Sequence, residues 1–426
     1  MPPLRRFFLQ TLGCKTNQYD SQAMREALLA AGFAEAKRLE EAELFLLNTC
    51  AVTRRAGDSG RRAIRRAARL NPSLRMAIIG CGVDLGEAVP ETASGPPLLL
   101  KNAEKAALPG LLKEWLGEGS AAPAGGAGLS VSGHAGHSRA FLKIQDGCGN
   151  FCSYCAVPLA RGAPRSRPPG EIREEAGRLI AAGFGELTLT GVNIGAYRRG
   201  NLDLAGLAEE LAGTPGLVRL RLGSVEPPRV DARLVRIMRD SGGKICPHIH
   251  MPLQSGDDRL LAAMNRDYPA AGFLEKVSLL RDALDLPALG SDVMVGFPDE
   301  DAASFANTLE VCRRAGFSRL HVFPFSPRPG TPAAAWRREL PEQTLAVWKT
   351  RLIRLGMELA AGFARRCLGR EERIIMERDG GLSDRYLKTR LKGRQAGPGA
   401  VVRARITATA GAELLGEAVD AGETPF

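Results

Sequence analysis

The chain has 426 residues, of which 58 are Lys or Arg and 47 are Asp or Glu, so its net charge is near +11. Hydrophobic residues make up 44% and charged residues 25%, which is ordinary globular usage and excludes intrinsic disorder over most of the length. No run approaches about 18 consecutive apolar residues, and the start, MPPLRRFFLQ, lacks the apolar segment and cleavage site of a secretion signal. We therefore expect a cytoplasmic protein of two or three domains with no membrane contact.

The positive charge by itself permits a polyanionic partner such as a nucleic acid. Arginine supplies 47 of the 58 basic residues, a bias that genome base composition alone can produce. The nine cysteines, in a chain without a secretion signal, favour reduced thiols or metal ligands over disulfides. The positions of both residue types along the chain therefore decide what they indicate.

Three short apolar runs alternate with helical patterns in residues 1–116. RFFLQT, ELFLLNT and RMAIIG are each followed within a few residues by a cysteine, namely Cys14, Cys50 and Cys81. Strands alternating with helices predict a doubly wound parallel sheet of an α/β domain, in which groups that follow the strands meet at one edge. The three cysteines are therefore predicted to lie together.

Residues 117–138 are rich in Gly, Ala and Ser. This composition cannot build a core, so we predict a flexible linker and a domain boundary. His134 and His137 lie within it, but no cysteine stands near them, and we do not interpret them as metal ligands.

Six further apolar runs alternate with helical patterns in residues 139–364: FLKIQD, ELTLTG, VRLRLGS, HIHMPLQS, SDVMVGF and RLHVFPFS. These units predict a partial (β/α)6 barrel, whose active site lies at the carboxyl ends of the strands. Polar residues stand at those ends: Asp146, Thr190, Asn193, Ser224, Glu226, Gln254, Ser255, Asp292 and Ser326.

Residues 365–426 show short strand patterns and Gly-rich turns, which predict a small all-β barrel. Between Arg365 and Arg405 there are 12 basic and 5 acidic residues. This local surplus lies where an oligonucleotide-binding barrel carries its charge.

The segment DGCGNFCSYC places Cys148, Cys152 and Cys155 directly after the first strand of the central domain. Three thiolates at these spacings can ligate three irons of a [4Fe–4S] cluster and leave the fourth iron open. A zinc site more often has two CxxC pairs or a Cys/His finger, and no fourth ligand stands nearby. The motif therefore predicts an iron–sulfur cluster with an open coordination site.

A CxxxCxxC motif at the first strand of a partial barrel resembles the radical S-adenosylmethionine (SAM) enzymes. The resemblance implies that the open iron binds the amino and carboxylate groups of SAM. It further implies that the reduced cluster cleaves SAM to methionine and a 5′-deoxyadenosyl radical, which abstracts hydrogen from an unactivated C–H bond. The cofactors supply this chemistry, and the protein positions them and excludes water.

The resemblance also suggests contacts for SAM or the substrate. Tyr154, between two cysteines, would lie near the SAM adenine, with loop packing as the alternative. Four strand-end residues would contact the ribose, the methionine moiety or the substrate, unless they only anchor their loops: Asn193, Glu226, Gln254 and Asp292. Three arginines after the cluster loop suit the SAM carboxylate or an RNA phosphate, with solvated surface as the alternative: Arg161, Arg165 and Arg167.

The N-terminal cysteines narrow the resemblance to the methylthiotransferases. The segments TLGCKTNQYDSQAM, LLNTCAVT and IIGC imply that Cys14, Cys50 and Cys81 bind a second [4Fe–4S] cluster, whose open iron holds sulfur for transfer to substrate carbon. In this branch a cluster domain, a radical SAM domain and an RNA-binding TRAM barrel follow one another, and both clusters should face one cavity. Three cysteines belong to neither set and are interpreted as packing thiols: Cys246, Cys312 and Cys367.

Within this branch, the N-terminal segments together with ARGAPRSRP and HVFPFSPRPGTPAA resemble most closely the enzymes for N6-threonylcarbamoyladenosine at tRNA position 37. The resemblance implies methylthiolation of carbon 2, with one SAM giving the methyl group and another the radical. The loops TGVNIGAY and GFPDED depart from the usual pattern, the latter where Gly-Glu-Thr is common. Sibling substrates are N6-isopentenyladenosine in tRNA and a ribosomal-protein aspartate, and an RNA-binding protein with structural metal is the alternative of another class.

The implied partners are a tRNA anticodon stem-loop, an electron donor and a sulfur source.

Seven arginines share one face of a helix if residues 54–70 are helical, and we call this face the arginine stripe. At about 100° per residue, their side chains fall within roughly 140° of arc, away from Ile64 and Ala67. Its members are Arg54, Arg55, Arg61, Arg62, Arg65, Arg66 and Arg69. Like charges repel unless something anionic neutralises them, so we interpret the stripe as a tRNA contact rather than only a solvated face.

Overall fold

The protein is described by a computed structural model that covers residues 5–118, 128–337, 340–393 and 396–419. Within these residues the chain forms three regions in the order expected: a parallel sheet, a partial barrel and a closed all-β barrel. None of the described helices is both long and apolar enough to cross a membrane.

The N-terminal region is a five-stranded parallel sheet with the order β2-β1-β3-β4-β5. Its strands are β1 (Arg6–Thr11), β2 (Ala34–Glu35), β3 (Leu44–Thr49), β4 (Arg75–Gly80) and β5 (Leu98–Leu100). Its helices are α1 (Lys15–Ala30), α2 (Arg54–Leu70), α3 (Cys81–Asp84) and α4 (Leu108–Trp115). Helices α1 and α4 pack on one face and α2 packs on the other, which confirms the doubly wound arrangement.

The parallel pairing explains why the N-terminal cysteines meet. Strand β3 lies between β1 and β4, and Thr11 pairs with Asn48 while Thr49 pairs with Gly80. Because each strand ends just before its cysteine, all three cysteines follow the same edge of the sheet.

The segment 117–138 is only partly described, because residues 119–127 lie outside the described ranges. Residues 128–138 have irregular backbone but are held by contacts with both neighbouring regions. The Tyr19 hydroxyl donates to the Leu129 carbonyl at 3.0 Å, and Val131 is buried in the core. His134 is buried, with Nε2 3.0 Å from the Phe141 carbonyl oxygen.

The central region contains six parallel strands separated by helices. These strands are β6 (Ala140–Lys143), β9 (Glu186–Thr190), β12 (Arg219–Leu222), β13 (His248–His250), β14 (Ala288–Val295) and β15 (Arg319–Pro324). The short strands beside them are β7 (Gln145–Asp146), β8 (Arg165–Ser166), β10 (Arg198–Arg199) and β11 (Leu202–Asp203). The helices are α5 (Val157–Arg161), α6 (Pro169–Ala181), α7 (Leu204–Ala212), α8 (Ala232–Asp240), α9 (Asp258–Ala263), α10 (Ala270–Ala283), α11 (Ala302–Ala315) and α12 (Glu342–Arg365).

Two three-stranded sheets combine into a single curved wall in the central region. Their orders are β12-β9-β6 and β13-β14-β15. Parallel bridges join Leu220 to Ile245 and Ser224 to His250 across the junction. The sequence of six strand and helix units is therefore the predicted partial (β/α)6 barrel.

The C-terminal region is a closed barrel with the strand order β16-β17-β18-β20-β19. Its strands are β16 (Glu371–Glu377), β17 (Gly380–Ser383), β18 (Lys388–Lys392), β19 (Val401–Ala410) and β20 (Glu413–Ala418). Helix α12 leads into it and packs Phe363 and Ala364 against Ile406 and Leu414. The small all-β barrel expected after residue 365 is confirmed.

Two buried arginines of β12 join the closed barrel to the partial barrel. Arg219 and Arg221 are both fully buried and both pair with Glu186, at 2.6 and 2.8 Å. Arg219 also pairs with Asp384 of the closed barrel at 2.7 Å. Their remaining donors reach backbone carbonyls of the closed barrel, including that of Leu382.

Candidate iron–sulfur sites and their surroundings

Cys14, Cys50 and Cys81 form one set of thiols at the edge of the N-terminal sheet. Cys14 is exposed, whereas Cys50 and Cys81 are buried. Burial, together with the neighbouring Cys14 and Cys81, raises the pKa of the Cys50 thiol to about 11. Gly13 has a φ of +97°, and a Cβ there would overlap the Cys50 side chain, so the backbone brings these two cysteines into close contact.

Cys148, Cys152 and Cys155 form the second set, after β7. Burial, together with the nearby Cys152 and Cys148, raises the pKa of the Cys155 thiol to about 12. Gly147 has a φ of +72°, and a Cβ there would collide with the Ala163 carbonyl. The cluster loop therefore folds back tightly on the segment that follows it.

The surroundings of both sets fit thiolates bound to iron. Arg266 Nη1 lies 3.2 Å from Cys152 Sγ, and Asn102 Nδ2 lies 3.4 Å from Cys81 Sγ. Such N–H groups orient cluster ligands and stabilise their negative charge.

Each cysteine set is compatible with a cubane cluster. Among the residues that the structure describes, no three His, Cys, Asp or Glu side chains surround a point where one metal ion would bind. A cubane cluster takes each thiolate on a different iron, so it does not require three sulfurs to converge on one ion. A mononuclear zinc site is therefore not preformed within the described ranges.

Helix α5 connects the two cysteine sets. It begins two residues after Cys155, and Ala160 near its end packs against Cys81 and Ala51. Asn102 Nδ2, which reaches Cys81, also donates to the Ala160 carbonyl at 3.1 Å. Five helical residues span about 7.5 Å, so the second set lies near the start of this short helix and the first set lies near its end.

A buried ion network lies behind this helix and joins the N-terminal sheet to the partial barrel. Asp20 accepts from Lys105 at 2.8 Å, Lys143 at 2.7 Å and Arg161 at 3.1 Å. These three cations hold the pKa of the Asp20 carboxyl below its usual value although burial alone would raise it. Removing Asp20 would leave buried positive charges without compensation.

The three arginines after the cluster loop have different surroundings. Arg161 donates to Asp146 at 2.9 Å and to Asn17 at 2.6 Å, besides Asp20, so its donors already have protein partners. Arg167 donates to the Lys143 carbonyl and pairs with Glu175. Arg165 is exposed. Arg161 and Arg167 thus have protein partners in the structure, and a contact between any of the three arginines and the SAM carboxylate or an RNA phosphate stays a prediction.

The strand-end residues divide into paired and unpaired groups. Glu226 pairs with Arg266, and Asp292 pairs with His250 and His321 at 3.1 Å each. Burial would raise the pKa of Asp292, but the two histidines outweigh it and lower that pKa. Asn193 and Gln254 are buried, and their side-chain carbonyl oxygens have no partner in the described structure.

These unpartnered oxygens point to a missing donor. Asn193 Nδ2 lies 4.0 Å from Cys148 Sγ, which places this amide beside the second cysteine set. Gln254 adopts a φ of 66°, an uncommon backbone conformation for a residue other than glycine. Buried acceptors are normally satisfied, so each oxygen is available to accept from a hydroxyl or amino group of a ligand.

Tyr154 lies beside the aromatic core of the barrel mouth. Its ring meets that of Phe297 edge to face at 6.4 Å, in a cluster with Phe325 and Met264. The structure therefore accounts for Tyr154 by packing, while leaving it next to the second cysteine set.

The side chains of the loop GFPDED suit its local backbone geometry. Asp299 has a φ of 63°, in the left-handed region that glycine favours and that Asp tolerates better than most residues. Asp301 caps helix α11 by accepting from the Ser304 amide at 2.8 Å, a role that Thr also performs. The departure from Gly-Glu-Thr is therefore locally conservative.

The arginine stripe lies on α2, whose bounds match the predicted helix 54–70. Ile64 and Ala67 are buried, and most of the stripe is exposed. Asp58 pairs with Arg61 and neutralises one of the seven charges. The Arg54 amide donates to Ser326 Oγ at 3.0 Å, so the stripe begins at the carboxyl end of β15.

Several residues of the site were not found from the sequence. Arg266 and Asn102 lie far along the chain from the cysteines they contact, and nothing in their local pattern indicates that role. Asp20 lies in the segment TLGCKTNQYDSQAM that carried the resemblance. A carboxylate on a helix face that otherwise packs into the core is the signal that could have identified it.

Two family models match the chain. The model described as the Radical SAM superfamily matches residues 142–312. The model described as Uncharacterized protein family UPF0004 matches residues 6–93. The two matches contain the second and the first cysteine set, respectively.

Curated relatives match over most of the chain. The threonylcarbamoyladenosine tRNA methylthiotransferase MtaB of Chlamydia pneumoniae is 35% identical over 376 residues, covering 87% of each chain. Its counterpart in Bacillus subtilis (strain 168) is 33% identical over 419 residues, covering 93% of this chain and 92% of the relative. A tRNA-2-methylthio-N(6)-dimethylallyladenosine synthase of Cereibacter sphaeroides is 34% identical over 440 residues, covering 99% and 100%.

Solved structures show the same fold at low sequence identity. The radical SAM methyltransferase TsrM of Kitasatospora setae has a TM-score of 0.59 at 14% identity, covering 78% of this chain and 75% of that chain. The cobalamin-dependent radical SAM enzyme OxsB has a TM-score of 0.51 at 9% identity, covering 75% and 54%. At such identities the likeness concerns architecture alone. The curated relatives carry the assignment, and with them this chain belongs to the radical SAM methylthiotransferase family of enzymes.

Proposed function

We propose that this enzyme methylthiolates carbon 2 of N6-threonylcarbamoyladenosine at position 37 of tRNA. The observation that carries the proposal is the placement of the two three-cysteine sets near the two ends of the short helix α5. One set suits SAM cleavage and the other suits sulfur delivery, and their closeness allows both to act on one base. The sequence motifs that resemble the threonylcarbamoyladenosine enzymes support the choice of base, while the curated relatives include enzymes for either base at similar identity.

The two cysteine sets have different roles in this reaction. Cys148, Cys152 and Cys155 hold the SAM cluster, and Cys14, Cys50 and Cys81 hold the auxiliary cluster. When bound, the SAM cluster with SAM supplies radical hydrogen abstraction, and the auxiliary cluster supplies sulfur.

The neighbouring side chains position these groups. Arg266 stabilises the Cys152 thiolate and fixes Glu226 at the rim. Asn193 and Gln254 present carbonyl oxygens that lack a partner among the described residues and that accept from the hydroxyl or amino groups of SAM. Arg161 is a positioning residue that ties α5 to α1.

The domain assignment follows the same division. We assign residues 1–116 to the auxiliary-cluster domain, 139–364 to the radical SAM domain and 365–426 to a TRAM RNA-binding domain, with 117–138 connecting the first two. RNA loops whose bases are splayed out are recognised by combined phosphate and base contacts. The arginine stripe and the closed barrel offer such contacts to the anticodon stem-loop, while an electron donor and a sulfur source complete the reaction.

The nucleoside profile tests the substrate. We expect tRNA from a strain lacking this gene to lose 2-methylthio-N6-threonylcarbamoyladenosine, measured by mass spectrometry of digested tRNA, and to regain it when the gene is restored. Loss of 2-methylthio-N6-isopentenyladenosine instead would assign the dimethylallyladenosine substrate of the other relatives. A chain that only binds RNA would change neither nucleoside.

Two cysteine variants test the division between the sets. We expect Cys152→Ala to abolish 5′-deoxyadenosine formation, because it removes a ligand of the SAM cluster. We expect Cys50→Ala to retain SAM cleavage but to lose methylthio product, because only sulfur delivery fails. Iron analysis after anaerobic reconstitution should fall by about half in each variant, since each cubane holds four irons. Methylthiolation by the Cys50 variant would contradict the auxiliary assignment.

A further inference from the structure

A lysine next to the auxiliary cysteines has no anionic partner among the described residues. Lys15 follows Cys14 directly and is half-buried at the first residue of α1. Its Nζ lies 5.4 Å from the centre of the Tyr386 ring. Within the described ranges the Lys15 ammonium forms no hydrogen bond and no ion pair.

The groups around the Tyr386 ring are mainly cationic. Arg221, Arg319 and Arg139 lie 5.0, 5.6 and 5.7 Å from the ring centre. Arg221 is compensated by Glu186 at 2.8 Å, and Arg139 by Glu377 at 2.9 Å. The carboxylates near this ring are therefore already paired, and within the described ranges the charges of Lys15 and Arg319 are left without a carboxylate.

A second polar group at the same place also lacks a partner. His248 packs its ring 4.8 Å from that of Tyr386 and is 6% exposed. Its Nδ1 has no hydrogen-bond partner among the described residues. Buried polar groups without partners are costly, so an ammonium and an imidazole nitrogen left open at one place indicate a site for an anion.

The location of Lys15 relates this site to the reaction. Lys15 is joined by one peptide bond to Cys14, a proposed ligand of the auxiliary cluster, so carbon 2 of the substrate base must come close to it. In adenine, carbon 2 and the N6 substituent lie on the same edge, on either side of N1. A base that presents carbon 2 to the auxiliary cluster therefore directs its N6 substituent toward the residues around Cys14.

We propose that Lys15, with His248, binds the carboxylate of the threonylcarbamoyl group and thereby selects this base. The inference rests on the proposed function and adds a residue that determines specificity. The threonylcarbamoyl group ends in a carboxylate, which compensates Lys15, whereas an isopentenyl group carries no charge and would leave the ammonium unpaired. An RNA phosphate is the competing anion, which the test distinguishes.

Binding of modified anticodon stem-loop RNA tests the proposal without turnover. The RNA would carry N6-threonylcarbamoyladenosine, its neutral amide, or N6-isopentenyladenosine, and affinity would be measured by fluorescence anisotropy with the reconstituted full chain. For the wild type, we expect the amide to weaken binding about 10- to 100-fold, as when one partner of a desolvated ion pair is neutralised. Lys15→Gln should weaken binding of the carboxylate RNA by a similar factor and leave the amide RNA unaffected, and Lys15→Arg should restore most of the difference.

The outcomes separate the possible failures. Equal wild-type affinity for the carboxylate and amide RNAs would overturn the role of Lys15 without relying on any variant. Equal weakening of all three RNAs by Lys15→Gln would assign a phosphate contact and also overturn it. Wild-type preference for the isopentenyl RNA would overturn the proposed function itself and this inference with it. Lys37→Gln, a change at an exposed lysine of the N-terminal domain, is the matched control and should alter none of these affinities.

Discussion

Single side chains decide the environment of the cysteines. Cys152 receives a hydrogen bond from Arg266, 114 positions later in the chain, and Arg266 in turn holds Glu226. Burial raises the pKa of the Cys152 thiol, while Arg266 lowers it. One guanidinium thus links a candidate cluster ligand to a candidate substrate contact, and it does so through tertiary structure alone.

Glu300 gives a pH-dependent prediction at the same scale. Burial raises its pKa from 4.5 to about 7, although the Gly296 amide donates to it and opposes the shift. Because the folded pKa lies above the unfolded one, the stability linked to this group is full below about pH 4.5 and is lost as the pH rises through about 7. We expect Glu300→Gln to raise the melting temperature relative to wild type at pH 8 and not at pH 4.5, by an effect on the order of 3 kcal/mol at most.

Glu275→Gln serves as the control for this measurement. Glu275 is exposed on α10, so its variant should follow the wild-type pH profile. A Glu300→Gln variant that differs from wild type equally at both pH values would contradict the assignment of the pH dependence to this carboxyl.

At the scale of elements, two short pieces of helix organise the site. Helix α5 separates the two cysteine sets, and the first turns of α1 carry Lys15, Asn17 and Asp20 toward it. Asn17 Nδ2 donates to the Leu12 and Thr49 carbonyls at 2.8 Å each, which fixes the start of α1 on the sheet edge. These elements are held by buried polar contacts rather than by an apolar face, so their position depends on both domains at once.

Helix α2 carries the prediction for RNA binding. We expect the triple change of Arg62, Arg65 and Arg69 to Gln to weaken tRNA binding and to reduce the slope of log K against log salt by about one for each lost phosphate contact. The helix should remain folded, because the buried Ile64 and Ala67 are untouched. Anisotropy titrations from about 50 to 200 mM salt measure the slope.

A matched variant distinguishes local contact from general charge. Arg236 and Arg314 are exposed on the outer helices α8 and α11, and changing them to Gln lowers the net charge without touching α2. An unchanged slope in the α2 variant, or an equal decrease in both variants, would reject the arginine stripe as an RNA contact.

At the scale of the whole molecule, some of the arginines form ion pairs with carboxylates of the protein itself. Arg385 pairs with Glu372 inside the closed barrel, and Arg373 pairs with Asp384 at 2.9 Å. Arg405 pairs with Glu371 at 2.8 Å. The local surplus of basic residues counted from the sequence therefore overstates the charge that the closed barrel offers to RNA.

The joint between the two barrels gives the last prediction. We expect Arg219→Met to destabilise docking of the closed barrel by about 3 to 5 kcal/mol, because it leaves buried carboxylates short of one cation. Limited proteolysis should then cut between α12 and β16, and the melting curve should separate into two transitions. Arg236→Met, at an exposed site, should leave both measurements as in wild type. Wild-type proteolysis of the Arg219 variant would show that the joint does not depend on this ion pair.

Much of the fold and the cysteine sets could be predicted from the sequence. Strand runs followed by cysteines specify one sheet edge because parallel strands end together. The burial of charged side chains could not be predicted from the strand pattern. In VRLRLGS, Arg219 and Arg221 occupy positions that suit a polar outer face, yet both are buried against the closed barrel.

The sequence by itself determined the order of the three regions, because periodicity and spacing are local properties. Its motifs, through their resemblance to known enzymes, indicated the family and predicted which cysteines bind iron. Tertiary structure alone decided which charges are compensated. It placed Arg161 and Arg167 in contacts with Asp20 and Tyr19 of the N-terminal region. It also placed Arg266 next to Cys152. It also left Lys15 beside Cys14 without a partner among the described residues. The physical reason is that an ion pair depends on distance in space, and residues more than 100 positions apart in sequence, such as Asp20 and Lys143, meet only after the domains have packed.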